Sequence, residues 1–136
     1  MARVTGGKIH AARLRRLSSP SARREITKAL YAAGQEIEIE AEISITSGSI
    51  SGAGHVPSLP GEPPNRDTGL LDGDIISRIV SSDNPLVYVE SNAPYAAALE
   101  FGTSKMAERP YMRPATAKKK GQAAALVRRA VQRQAR

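Results

Sequence analysis

The chain has 136 residues, with 20 Lys and Arg against 13 Asp and Glu and a formal charge of +7; that length suits one domain, because two independent cores would each sit near the lower size limit for burying apolar surface. Zero Cys excludes disulfides, thiolate metal sites and thiol catalysis together. Two His leave almost nothing for an imidazole metal site or general base, and a single Phe with no Trp predicts a core of Ile, Leu, Val and Ala.

The charge falls into three blocks. Residues 1–28 hold eight bases and one acid, residues 29–104 eleven acids and two bases, and residues 105–136 ten bases and one acid. An acidic middle therefore lies between two basic ends. A simple nucleic-acid binder concentrates positive charge on its folded body, whereas the body expected here is acidic. No apolar run of secretory type follows the basic start. The longest uncharged stretch, Ile43 to Gly61, is filled with Ser, Gly and Pro and is unsuited to spanning a bilayer. A soluble, cytoplasmically made protein with no membrane partner is expected.

Residues 1–19 read as a basic N-terminal arm, either a frayed helix or disordered. Ser19 then suits a helix N-cap and Pro20 the first helical position. Ile26, Leu30, Ala33, Ile37, Ala41 and Ile45 recur every three or four residues, which predicts one long helix from about Pro20 to Thr46. Residues Ile37 to Ile45 also alternate as a half-buried strand would, and length decides for the helix. Residues 47–67 form a Gly/Pro-rich loop, long enough to be functional. Its uncharged first half, including Ser47, Gly48, Ile50, Gly52, His55 and Pro57, is expected to order only against a partner. Ile75 to Val80 and Leu86 to Glu90 predict an antiparallel hairpin across Asp83-Asn84-Pro85. Tyr95 to Phe101 is a short apolar helix or turn, Arg109 to Pro114 is extended because residues before Pro avoid the α region, and a final helix runs from Ala115 to about Gln132. Residues 20–117 are read as a single α+β domain and residues 118–136 as a basic C-terminal helix or tail.

No catalytic constellation emerges, and no metal or cofactor is expected. Asp67, Asp72 and Asp74 read as an Asp/Gly turn before a strand, and His10 and His55 as solvated. Gly48 to Gly52 lacks the Lys and following helix of a phosphate loop. The basic runs carry no interleaved aromatic residues, so no base-stacking platform is present.

The most specific segment is Ala93 to Ala115. Gly102 suits a chain reversal with positive φ after Leu99 and Phe101. Glu100 has two arginines ahead of it, Arg109 and Arg113, each followed by Pro, and a bidentate carboxylate–guanidinium pair would tie the turn to the extended segment. Tyr95, then Leu99-Glu100-Phe101-Gly102-Thr103, then Arg109-Pro110-Tyr111-Met112-Arg113-Pro114-Ala115 resemble the small head–tail joining proteins of long-tailed phages, also called tail-completion or minor tail components. Pro60-Gly61-Glu62-Pro63-Pro64 followed by Thr68-Gly69-Leu70-Leu71 is similar to the same family's Pro/Gly loop and Thr-Gly-x-Leu turn. One departure is that Asp72 and Asp74 follow where the family commonly has basic residues.

The resemblance implies a long helix packed on a small antiparallel sheet, in a subunit that assembles as a hexameric ring of the virion neck. It implies a head connector or stopper and a tail terminator or tail tube as partners, and DNA in transient nonspecific contact as it passes. Glu36, Glu38, Glu40 and Glu42 would then be candidates to face the channel. The alternatives are a tail terminator capping the tube and, from another class, a basic DNA-binding accessory protein.

Overall fold

The computed structural model describes residues 4–50 and 52–136. The elements in chain order are α1 (Gly7–Leu17), α2 (Pro20–Thr46), α3 (Leu70–Gly73), β1 (Ile75–Ser81), β2 (Leu86–Ser91), α4 (Ala96–Phe101) and α5 (Met112–Ala135), with a short 3-10 turn at Gly52–Gly54. The fold is α+β: α2 lies across a two-stranded antiparallel sheet, and α5 packs along α2.

Helix α2 begins as its sequence predicts. The Ser19 hydroxyl accepts the Ala22 N–H at 3.2 Å, and Pro20 occupies the first turn, where its missing N–H costs nothing. Its 27 residues span roughly 40 Å at about 1.5 Å per residue. The competing alternation from Ile37 to Ile45 is settled by burial. Ala41 and Ile45 are fully buried, whereas Ile39 and Ile43 are half exposed, so the 3.6-residue period governs and the two outer isoleucines face away from the core.

The hairpin pairs Ile75 with Ser91 through Ile79 with Val87, and a register shift follows before Ser81 pairs with Leu86. Two strands alone are marginal in water; this pair is backed by α2. Gly34 is the contact point. A Cβ built there would lie 3.2 Å from Val89 Cγ2, 3.3 Å from Ser77 Oγ and 3.4 Å from Val87 Cγ1, so the glycine lets helix and sheet approach to backbone distance. The main apolar cluster joins Ala41 and Ile45 of α2 to Leu71, Ile75, Ala93, Ala96, Tyr111 and Ala115. Among the described residues only Tyr111, Ile45 and Ile75 are large side chains buried to completeness; Tyr111 is an aromatic addition to the Ile, Leu, Val and Ala core expected from the composition.

Two ends of the chain differ from expectation. Residues 7–17 form a regular helix, α1, which buries no residue of its own and rests against α5. Helix α5 begins at Met112 rather than Ala115 and continues to Ala135, across the expected limit at residue 117. It is part of the packed body, since Ala115 and Ala130 are buried along it. Its polar side meets α2 directly: Lys118 Nζ contacts Glu40, Lys119 lies 3.9 Å from Glu36, and Gln122 donates to Glu36 at 3.2 Å. Glu36 and Glu40 are thereby paired with α5 of the same subunit. The pairing order, with later α5 residues meeting earlier α2 residues, makes the two helices antiparallel.

Replacing Gly34 with Leu tests the helix–sheet seam. The added side chain meets three β-strand side chains at once, and overpacking of this kind costs about 1–3 kcal/mol. The expected outcome is a lower midpoint in urea with an unchanged slope.

Candidate docking cleft

Gly102 reverses the chain after α4 with φ +74°, and a Cβ there would come within 2.9 Å of the Glu108 nitrogen and 3.0 Å of the Met106 oxygen. Thr103 N–H donates to the Met106 carbonyl at 2.8 Å, closing the turn, and Arg109 N–H donates back to the Leu99 carbonyl. The returning strand of chain thus runs beside α4 and reaches the start of α5.

There the Glu100 carboxylate is the organising group. Its side chain is 7% exposed. Oε2 accepts the N–H groups of Tyr111 at 2.9 Å and Met112 at 3.0 Å, and Oε1 accepts the Arg113 N–H at 2.9 Å and Arg113 Nε at 3.0 Å. A helix leaves its first four N–H groups without an internal partner. Here Glu100 satisfies three donors, Pro114 has none to satisfy, and Ala115 N–H donates to the Tyr111 carbonyl. This explains the early start of α5: Arg113 precedes a proline and is biased away from the α region, but the carboxylate holds its N–H in helical register. Negative charge at a helix N-terminus adds a favourable dipole interaction.

The Glu100–Arg113 tie is therefore present, but not as the expected bidentate carboxylate pair: Nε donates to Oε1 while Nη2 donates to the Glu100 backbone carbonyl and to Glu108 at 2.9 Å, and the guanidinium lies 5.1 Å from the centre of the Phe101 ring. The expected Glu100–Arg109 tie is absent. Arg109 Nε instead donates to the Ser58 carbonyl at 3.2 Å, because the returning chain carries Arg109 past α4 toward the 47–67 loop. Gly61 N–H donates to the Glu108 carbonyl at 2.9 Å beside it, so two bonds strap loop to motif.

The loop also holds itself. Arg66 N–H donates to the Ile45 carbonyl at 3.0 Å and to Ser49 Oγ at 2.9 Å, Asn65 Nδ2 to the Val56 carbonyl at 2.8 Å, and Gly52 N–H to Asp67 Oδ1 at 3.3 Å. These bonds correct the expectation of a loop that orders only against a partner. Ser51 lies outside the described residues.

Between loop, α3 and α4 opens a cleft of about 530 Å³ whose walls include His55, Pro57, Gly69, Leu70, Tyr95 and Arg109. Segments distant in sequence meet there. Gly69, with φ +84°, starts α3 and packs against the Arg66 guanidinium. Leu70 and Tyr95 are 46% and 41% exposed, which leaves apolar and aromatic surface for a partner. Other residues singled out above stand elsewhere. Phe101 is exposed on the outer side of α4, Thr103 is in the turn, Tyr111 is buried with its hydroxyl donating to Ser91 Oγ at 2.8 Å, and Pro110 and Pro114 flank the start of α5. Ser47 closes α2 by donating its N–H to the Ile43 carbonyl, Gly48 turns the chain with positive φ, and Ile50 is exposed beyond the cleft.

Ser58, Arg66 and Asp72 also line the cleft and were not anticipated. Asp72 Oδ2 pairs with Arg66 Nε at 3.3 Å, while Asp72 Oδ1 and the Ser58 hydroxyl are buried without a partner. Arg66 and Asp72 are six residues apart across a glycine turn, and only that spacing hinted at their pairing. Among the described residues no cluster of His, Asp and Glu could hold a metal ion, and no helix is long and apolar enough to cross a membrane.

Removing the Glu100 carboxylate strands three N–H donors at the start of α5, so Glu100→Ala should destabilise the protein by about 3 kcal/mol in denaturant titration, with Glu100→Gln losing less. Acid provides the second test. Burial pushes the Glu100 carboxyl up, but the N–H groups of Tyr111, Arg113 and Met112 and the Arg113 side chain outweigh it, leaving the group below the ordinary glutamate value. A carboxyl lowered by folding contributes stability above its unfolded pKa and loses it as pH falls through the folded one. Wild-type stability should therefore decline below about pH 4.5, and the decline should be shallower in Glu100→Gln. Comparison with protein-family models, with curated proteins and with solved structures gave no match for this chain.

Proposed function

We propose that this protein is a structural subunit of a tailed-phage virion, forming a ring, hexameric by the family resemblance, at the head–tail junction. It would be made in the host cytoplasm, complete the tail and let DNA pass through. One observation supports the reading most strongly: the motifs whose order resembles the joining proteins meet around one cleft. Gly69 and Leu70 form one wall, Tyr95 another, and Arg109 straps the Pro/Gly loop across it. A thin core fits the same reading, since a subunit with few large buried side chains gains stability from symmetric contacts with its neighbours.

In this reading the cleft docks a segment of the neck partner, either the head connector or stopper or the tail terminator or tube. Leu70 and Tyr95 supply the apolar anchor, since interface energy concentrates in a few such residues.

Negative-stain imaging of the purified protein, alone and mixed with tail tubes, tests the proposal. Closed rings and decorated tube ends are expected. Leu70→Asp should leave the subunit folded by circular dichroism and abolish decoration. A protein that stays monomeric at high concentration and associates with neither tubes nor virions would overturn it.

A further inference from the structure

Away from the cleft, where α1 meets the last turns of α5, two concavities are lined, among the described residues, by cations and by no acidic side chain. Arg15, Arg16, Arg133 and Arg136 line one concavity there, and Lys8, Arg13, Arg16 and Arg136 line the next. These cations come from opposite ends of the sequence and are gathered only by the packing of α1 on α5. We propose that this basic pole binds the phosphate backbone of duplex DNA without reading its sequence.

Elsewhere the basic side chains are matched in part: several, such as Lys105, Lys120, Arg128 and Arg129, also stand without a carboxylate in salt-bridge reach among the described residues, but they do not line these concavities. Arg66, Arg78, Arg113, Lys118 and Lys119 each have a carboxylate within salt-bridge reach. Among the described residues none of the six pole cations does. Glu25 is the acid that senses the pole: its carboxyl is lowered chiefly by its hydrogen bond and charge pairing with Lys28, and only weakly by Arg133 and Arg24. The pole is thus a place where unpaired cations from both chain ends are gathered side by side.

Structural reasons for that accumulation fall short. Helix dipoles favour Arg15 and Arg16 in the last turn of α1 and Arg133 in the last turn of α5, by about 0.3–1 kcal/mol each. They leave Lys8 and Arg13 without a role. Helix α1 buries no residue, so core formation does not require it. Like charges crowded this way repel one another unless a polyanion neutralises them.

The lining chemistry selects the polyanion. No aromatic side chain borders either concavity, so there is neither a platform for unstacked bases nor the aromatic anchor usual at the centre of a protein interface. Two arginine-ringed concavities suit phosphates, which guanidinium groups grip bidentately. This surface is distinct from the docking cleft, and the proposal holds in solution without ring assembly.

Fluorescence anisotropy of a labelled mixed-sequence duplex, titrated with the full chain between 50 and 200 mM salt, roughly the span over which counterion release is resolved, tests it. Four to six phosphate contacts predict a log–log slope of about −3.6 to −5.4, and a second duplex of scrambled sequence should bind equally. The double variant R16E/R133E, exposed at both positions, should lower affinity at least tenfold and flatten the slope. The charge-matched control K105E/K120E, also exposed, should change little. Equal losses in both variants, or no binding at the lowest salt, would overturn the proposal. So would pole-dependent binding of phosphatidylglycerol vesicles with DNA affinity unaltered. Rings that form normally in R16E/R133E, or DNA binding retained in Leu70→Asp, separate this proposal from the docking reading.

Discussion

One carboxylate decides where the second half of the molecule begins. Glu100 lies at the end of a six-residue helix and closes the N-terminus of a 24-residue one. Without it three N–H groups at the start of α5 would be desolvated and unpaired, an expense larger than most single contacts recover. Because the acceptor comes from a different helix, capping also fixes the angle between α4 and α5. Tyr111 is drawn into the core by the same bonds, and its hydroxyl reaches Ser91 at the end of β2. The turn at Gly102 exists to bring the two ends of this clasp together.

From that anchor the charge blocks find their purpose. The early part of α5 lays Lys118, Lys119 and Gln122 against Glu36 and Glu40, so part of the basic end neutralises part of the acidic middle within one subunit. Exposed pairs of this kind contribute little individually, commonly about 0–1 kcal/mol. They set the register of two antiparallel helices rather than their stability. Part of what is not consumed in this way is left at the far end of α5, beyond Glu25, the first acid of α2.

Local rules carried much of the fold. Ser19-Pro20 marks the start of α2, the Ile and Ala spacing marks its length, and Asp83-Asn84-Pro85 marks the hairpin; each depends on neighbours within a few residues. Glu100 was legible as a partner for arginine but not as a helix cap, because the pre-proline bias at Arg113 argued against a helix and the compensating carboxylate sits twelve residues from Met112. Arg109 was assigned to the wrong oxygen, since its acceptor at Ser58 lies 51 residues away and no pattern encodes that distance. The cleft is legible only in part for the same reason. Gly69, Leu70 and Tyr95 stood out, whereas Ser58 and Asp72 acquire meaning from being buried without partners, a property of the packed state alone.

The α2–α5 seam has a consequence for how the chain reaches this state. Glu40 and Lys118 are 78 residues apart, and the helix that supports the sheet is also the one covered last. During synthesis α2 emerges early with its apolar stripe only half sheltered by the hairpin, and it stays so until α5 arrives. Closing so long a loop is entropically slow, and contacts of large sequence separation slow folding generally. For that interval the chain is a helix on a hairpin with an open flank, the state most open to a neighbouring chain. On the proposed reading, in which the mature protein joins copies of itself, the chain would pass on the way to its fold through the form that most readily joins anything.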